Sequence, residues 1–328
     1  MSLDSDVIVD RRRLRRKLTT WRVIAFLLAV IGVGGAAYLL YGRNLDLASR
    51  PGNFIARIKV QGLIRGDSER VEALERLSRT SHARAVIVHI DSPGGTTAGS
   101  EQLHDALRRI ATEKPVVIVV DGLAASGGYI AAMAGDHIVA QGTSLVGSIG
   151  VLFQYPNVTE LMKTLGVKVE EIKSSPLKAA PNGFEPTSPE AREAIEALVK
   201  DSYAWFRGLV ADRRKLEGDA LSRVADGRVF TGRQAIDLKL IDELGDEKTA
   251  VAWLAKERGI DAKTPVRDYR LKDRLSDLSF LHLSAAALLE SVGLKALADR
   301  FAVAGTVQAL EKLNLDGLLA LWHPSATN

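Results

Sequence analysis

One uncharged run stands out in the hydrophobic pattern: Val23 to Tyr41 holds 19 residues without an acidic or basic side chain. At about 1.5 Å per residue a helix of that length covers roughly 29 Å, close to the ~30 Å hydrocarbon core of a bilayer, so the run predicts a single transmembrane anchor. Downstream the apolar positions fall into short blocks of alternating period. Phe54 to Leu63 alternates as a strand, and Ser68 to Leu77 carries Val71, Leu74 and Leu77 at helical spacing. Ala85 to Ile90 and Pro115 to Val120 are apolar blocks bounded by turn residues, each followed by a helical pattern: the first through Leu103 and Leu107, the second from Tyr129 to Ala134.

The alternation continues. His137 to Ala140, Ser148 to Phe153 and Val167 to Ile172 predict short strands, and Val158 to Leu165 a helix. A long amphipathic helix starts at Ser188 and carries Ile195, Leu198, Tyr203, Phe206 and Val210; Gly232 to Leu240 and Thr249 to Arg258 predict two more helices. Apolar helical pieces follow at Leu278 to Leu289 and Leu294 to Val303, where a cap, an oligomer contact and a membrane-surface helix are all open readings. The expected layout is a basic segment 1–22, a span 23–41, a linker 42–53, an α/β domain 54–260 and a helical extension 261–328. In such a domain, strand ends that turn into helices converge on one crevice, where sites form.

Charge sharpens the topology. Residues 1–22 hold seven basic and three acidic side chains, whereas the rest of the chain holds 37 of each. The positive-inside rule therefore places the N-terminus in the cytoplasm and everything after about Gly42 outside. The small residues Gly34-Gly35-Ala36-Ala37 also suit a cleaved signal peptide, but Tyr38 to Tyr41 extends the apolar run beyond them and favours an uncleaved anchor. With the net positive charge confined to the N-terminus, no basic surface for nucleic acid is implied. The chain has no cysteine, which excludes disulfides, thiolate metal sites and a cysteine nucleophile.

Ser126 sits in Asp121-Gly122-Leu123-Ala124-Ala125-Ser126-Gly127-Gly128-Tyr129, between a β-branched block and a helix start. A serine at a sharp strand-to-helix turn is exposed as a nucleophile, and the free N–H groups of the next turn suit a developing oxyanion. The plainer reading is a helix N-cap. A nucleophilic serine needs a base, and none of the six histidines is well placed for it. A lysine can serve where burial disfavours its charged form; bringing its pKa near 7 takes roughly 4–5 kcal/mol.

Four motifs occur in order: Asp91-Ser92-Pro93-Gly94-Gly95, Ala124 to Tyr129, Val146-Gly147-Ser148-Ile149-Gly150-Val151 and Gly227-Arg228-Val229-Phe230-Thr231-Gly232-Arg233-Gln234-Ala235. Together they resemble the signal peptide peptidase A family of Ser-Lys membrane peptidases, over roughly residues 54–258. The resemblance implies a crotonase-like α/β fold, a ClpP-type spiral of strand-helix units. By the same resemblance Ser126 is the nucleophile and Lys178, in the Ser174-Ser175-Pro176-Leu177-Lys178 loop, the general base; Lys173 is the competitor. Here Pro176-Leu177 stands where the family often has glycine or tyrosine just ahead of the lysine. Ser148 matches the serine that holds the lysine amine, and Gly94, Gly95 and Gly127 would line the oxyanion hole.

The implied function is a cofactor-free, metal-free serine endopeptidase of the bacterial inner membrane, its domain on the periplasmic face. It would cut apolar peptides, remnant signal peptides among them, as a ring-like homo-oligomer whose sites pair one subunit's serine with a neighbour's lysine. Two other classes stay open: a non-catalytic membrane scaffold of the same fold, and a crotonase-type acyl-CoA enzyme, which an outward location disfavours.

Overall fold

The structure, a computed structural model, describes residues 52–271 and 319–322, with positions 17, 21, 22 and 32 before them. The chain divides into two compact units, Met1–Gly52 and Asn53–Asn328. Apart from Gly32, the expected anchor lies outside the described residues, as do the helical pieces expected between 278 and 303. Among the described residues no helix is long and apolar enough to cross a membrane.

The second unit is built on an eight-stranded, mostly parallel sheet. Its strands are β1 (Phe54–Gln61), β2 (Ala83–Ser92), β4 (Val116–Ala125), β5 (His137–Ala140), β6 (Leu145–Gly147), β7 (Val229–Thr231), β8 (Glu243–Leu244) and β9 (Val266–Asp268). The main path runs β7-β6-β4-β2-β1-β9, and β5 branches off β4 to carry β8. A short strand β3 (Gly94–Thr96) pairs with β10 (Leu319–Leu321) in a separate antiparallel ladder. The helices are α1 (Ser68–Ser78), α2 (Thr97–Glu113), α3 (Gly127–Ala132), α4 (Thr159–Leu165), α5 (Pro189–Arg214), α6 (Gly218–Val224), α7 (Gly232–Asp237) and α8 (Glu247–Arg258).

The two-residue period of a strand divides the core. Val86, Val88 and Ile90 of β2 and Val116, Ile118 and Val120 of β4 pack on one face with Leu74, Leu103, Leu107 and Tyr129. Their neighbours Ala85, Ile87, Val117 and Val119 pack on the other against Ala250 and Leu254 of α8. Covered on both faces, these strands become the continuous apolar blocks visible in the sequence.

Several elements differ from expectation. β4 does not stop at Asp121-Gly122 but continues to Ala125, because β5 pairs with its first half and β6 with Leu123 to Ala125. The strand expected at Ser148 to Phe153 lies earlier, at Leu145–Gly147, since Gly147 and Ser148 take φ of 102° and 51° and break the extended backbone. Residues 167–172 alternate as a strand should, yet they pair with no described strand, and Val167, Val169 and Ile172 are exposed. Leu198 is likewise exposed on α5, which buries only Ala191, Phe206 and Val210. The stretch expected to be a helical extension contains two strands, β9 on the edge beside β1 and β10 on β3.

Candidate active site

Ser126 ends β4 and caps α3 with φ 53° and ψ −115°, a conformation that a residue with a Cβ rarely adopts. Its neighbours hold it there. The Ser126 N–H donates to the Gly147 carbonyl at 2.8 Å, and the N–H groups of Tyr129 and Ile130 both donate to the Ser126 carbonyl at 2.9 Å. The side chain makes no capping bond to α3, so the plain N-cap reading fails. Oγ has instead a 3.5 Å contact with the Gly150 carbonyl, at the outer limit of a hydrogen bond. The residue is 1% exposed.

The Gly94-Gly95 turn comes from the neighbouring strand end. Ser92 Oγ donates to the Gly62 carbonyl at 2.7 Å and accepts from the Gly94 N–H at 3.1 Å, which fixes the turn's entry. Ile64 donates to the Gly94 carbonyl at 2.8 Å and accepts from the Thr96 N–H at 2.9 Å. Because successive strand residues direct their polar groups to opposite edges, the Gly95 N–H and carbonyl face away from Ile64. Thr96 then caps α2, accepting from the Gly99 N–H at 3.1 Å.

The two glycine motifs meet. A methyl group added to Gly94, at φ 102°, would stand 2.7 Å from the Gly127 nitrogen, and one on Gly127 would stand 3.1 Å from the Gly95 nitrogen and 2.2 Å from Ser100 Oγ. Gly128 packs as closely, its would-be methyl 2.7 Å from the Ser92 carbonyl. Only hydrogen side chains permit this approach, and the space between the motifs is lined by backbone. Gly94, Gly95 and Gly127 are therefore brought together beside Ser126.

Ser148 lies one residue beyond the Gly147 carbonyl that holds Ser126. It is buried, has φ 51°, and its N–H donates to the Arg228 carbonyl at 2.8 Å, so the third and fourth motifs also converge here. Lys178 is exposed, and among the described residues no hydrogen bond joins its side chain to Ser126. Lys173 is engaged: its ammonium bridges Glu171 at 2.6 Å and Glu185 at 2.5 Å, and these carboxylates raise its pKa above the ordinary lysine value. A lysine held protonated in this way is unsuited to accept a proton.

No described histidine bonds Ser126. His89 bridges Asp121 at 2.8 Å and Glu247 at 2.9 Å, His104 bonds Asp105, His137 stacks on Trp253, and His82 is exposed. No group of described His, Cys, Asp and Glu side chains is arranged to hold a metal ion. Two participants had no assigned role in the sequence reading: the Gly150 carbonyl near Oγ, and Ser92, which sets the Gly94 turn. Both lie inside the quoted motifs, so the motif boundaries were their only signal.

Comparison with known proteins gives the family. The model of peptidase family S49 matches residues 108–261, and that of Clp protease matches residues 65–142. The Synechocystis sp. protein slr0021, named as a candidate protease, is 37% identical over 63% of this chain and 75% of its own. MJ0651 of Methanocaldococcus jannaschii, also named as a candidate protease, is 31% identical over 73% of this chain and 82% of its own. The chloroplastic serine protease SPPA of Arabidopsis thaliana is 31% identical over 85% of this chain and 42% of its own. The Clp-protease-like sheet, the motif order and these relatives lead to one conclusion: the chain belongs to peptidase family S49 and is a peptidase of the signal peptide peptidase A type.

Proposed function

We propose that this peptidase is a membrane-anchored serine endopeptidase in which Ser126 attacks the scissile carbonyl and Lys178 takes the proton, passes it to the leaving amine and activates the deacylating water. The observation that carries the reading is the uncapped, strained Ser126 beside three convergent glycines. The Gly127 N–H follows the nucleophile and the Gly95 N–H points from the neighbouring turn, so both suit an oxyanion; one such donor is worth about 2.7–4 kcal/mol in the transition state. Ser148 would orient the lysine amine.

Exposed Lys178 lies on a loop with exposed Leu177 and Phe184, and apolar Val167, Val169 and Ile172 precede it in the chain. Such a loop suits a ring-like homo-oligomer in which each serine meets the lysine of the next subunit. The anchor at 23–41, with basic residues ahead of it, fits a domain on the outer face of the bacterial inner membrane. Its substrates would be apolar peptides, remnant signal peptides first among them. No cofactor enters the scheme.

A fluorophosphonate probe tests the nucleophile. Labelling should map to Ser126 and vanish in Ser126→Ala; an unlabelled wild-type chain would favour the scaffold alternative. Lys178→Arg should be inactive because a guanidinium does not release its proton in the working range. Protease added to intact spheroplasts should digest the domain beyond Gly42, and its protection would reverse the topology.

A further inference from the structure

β4 reaches Ser126 through a bulge. Along β2 the step from Ile90 to Ser92 spans two residues, whereas the matching step along β4, from Val120 to Ala124, spans four, so β4 carries two extra residues there. The bulge falls where β4 changes neighbour: Val117 to Val120 pair with β5, and Leu123 to Ala125 with β6. Extra residues bend a strand and re-aim whatever follows them. Here Ser126 follows on β4, while Ser92 on the partner strand leads into the Gly94-Gly95 turn.

Ser144 holds the bulge from within. It is 2% exposed, and its Oγ lies 3.0 Å from both the Val120 and the Asp121 carbonyl oxygens, so one hydroxyl proton is shared between the two carbonyls where β4 changes neighbour. Backbone bonds fix the residue in turn: its N–H donates to the Gln141 carbonyl at 3.0 Å, and its carbonyl accepts from the Gly232 N–H at 2.8 Å. Gly232 opens α7 inside the fourth motif, and a methyl on it would stand 2.1 Å from the Gln141 carbonyl oxygen, an approach that only glycine allows. Leu145, the next residue after Ser144, starts β6, and the last residue of β6, Gly147, accepts the Ser126 N–H.

Resting on the reading of Ser126 as nucleophile, we infer that Ser144 is a positioning residue of the active site: its hydroxyl locks the register of β4 against β2 and β6, and so sets Ser126 opposite the Gly94-Gly95 turn. It touches no reacting atom. Register decides which residues of two strands face each other, and a bulge without its donor can shift along the strand. Such a shift moves Ser126 and the Gly127 N–H relative to the Gly95 N–H, and a displacement of about 1 Å costs on the order of 100-fold in rate. The β3 edge stays in place, because Ile64 and Ser92 fix it independently of Ser144. The loss therefore falls on the chemical step and spares binding.

The rate at which a fluorophosphonate labels Ser126, measured beside hydrolysis of a fluorogenic apolar peptide by the full chain in detergent, tests this. Ser144→Ala should lower the labelling rate and kcat together by about 10–100-fold, with KM within about threefold of the wild type. Ser144→Thr, which keeps the hydroxyl, should recover most of both. Leu254→Ala, a cavity in the core on the other face of the sheet, controls for lost stability: it should melt earlier yet label at the wild-type rate. A folded Ser144→Ala that labels and turns over like the wild type overturns the inference and leaves the proposed function standing. So does an equal loss in Leu254→Ala or in Ser144→Thr. Should the alanine variant not fold, Ser144→Cys, of similar size but with a weaker donor, is read by the same criteria. Labelling and hydrolysis that survive Ser126→Ala overturn the function reading itself, and the inference with it.

Discussion

The Ser126 N–H and the Gly147 carbonyl are joined by a 2.8 Å hydrogen bond, which ties the end of β4 to the turn that carries Ser148. The bond continues the β4–β6 ladder by one residue, and there the chain reverses into α3. The candidate nucleophile is therefore positioned by sheet pairing and by strain, both independent of its hydroxyl.

That independence gives a stability prediction. Ser126→Ala should fold normally and lose peptidase activity, whereas Ser126→Gly should be inactive but more stable than Ser126→Ala. A glycine relieves a positive-φ strain of about 1–3 kcal/mol, offset by up to about 1 kcal/mol of extra chain entropy. Chemical denaturation of the pair checks it; an alanine variant that is the more stable of the two would show that the backbone at 126 is unstrained.

Ser126 is buried and Lys178 exposed, and a site shared between subunits predicts complementation. Ser126→Ala and Lys178→Ala should each be inactive alone, and co-assembly at equal amounts should restore about a quarter of the sites if each is shared between adjacent subunits of a closed ring. Peptide hydrolysis by the co-assembled sample is the readout. Persistent inactivity would place both groups in one subunit.

Gly95 allows little substitution. A methyl there would lie 1.8 Å from the Ile64 carbonyl oxygen, a backbone atom that cannot move without shifting β3. Gly95→Ala should cost about 1–3 kcal/mol or more and abolish activity, while Gly66→Ala, whose methyl would approach only a glutamine side-chain oxygen at 3.9 Å, should leave the activity intact. Melting curves and peptide hydrolysis check both; an active Gly95→Ala would contradict the close approach.

On the opposite face of the sheet, Arg57 forks onto Glu247, with Nη2 2.6 Å from Oε1, and His89 bonds the same carboxylate. The Arg57 guanidinium above all, helped by His89 and opposed by burial, holds Glu247 below the usual carboxylate range. A lowered carboxylate stabilises the fold above the ordinary carboxylate pKa, and the contribution is lost as pH falls through the lowered value. Glu247→Gln should therefore melt below the wild type at pH 7, by on the order of 1 kcal/mol. Melts taken from pH 7 to 3 should show the gap closing; a gap that holds steady would mean the pair adds nothing through its charge.

The strand-helix alternation, the crowded serine turn and the glycines beside it were legible in the chain itself, because burial period, capping residues and positive-φ positions are local properties. Thr96, Ser188 and Asp246 cap their helices as residues of their type should. Tertiary structure decided everything that depends on a partner strand. Residues 167–172 have the alternation of a strand but no described neighbour, whereas Leu319–Leu321, three residues with no distinctive pattern, become one because β3 and Leu152 each offer an unpaired edge. The same limit hid the commitment of His89 to Asp121 and Glu247. Periodicity records which side of an element is covered; what covers it is set by hydrogen bonds and contacts between residues far apart in the chain, which no local pattern encodes.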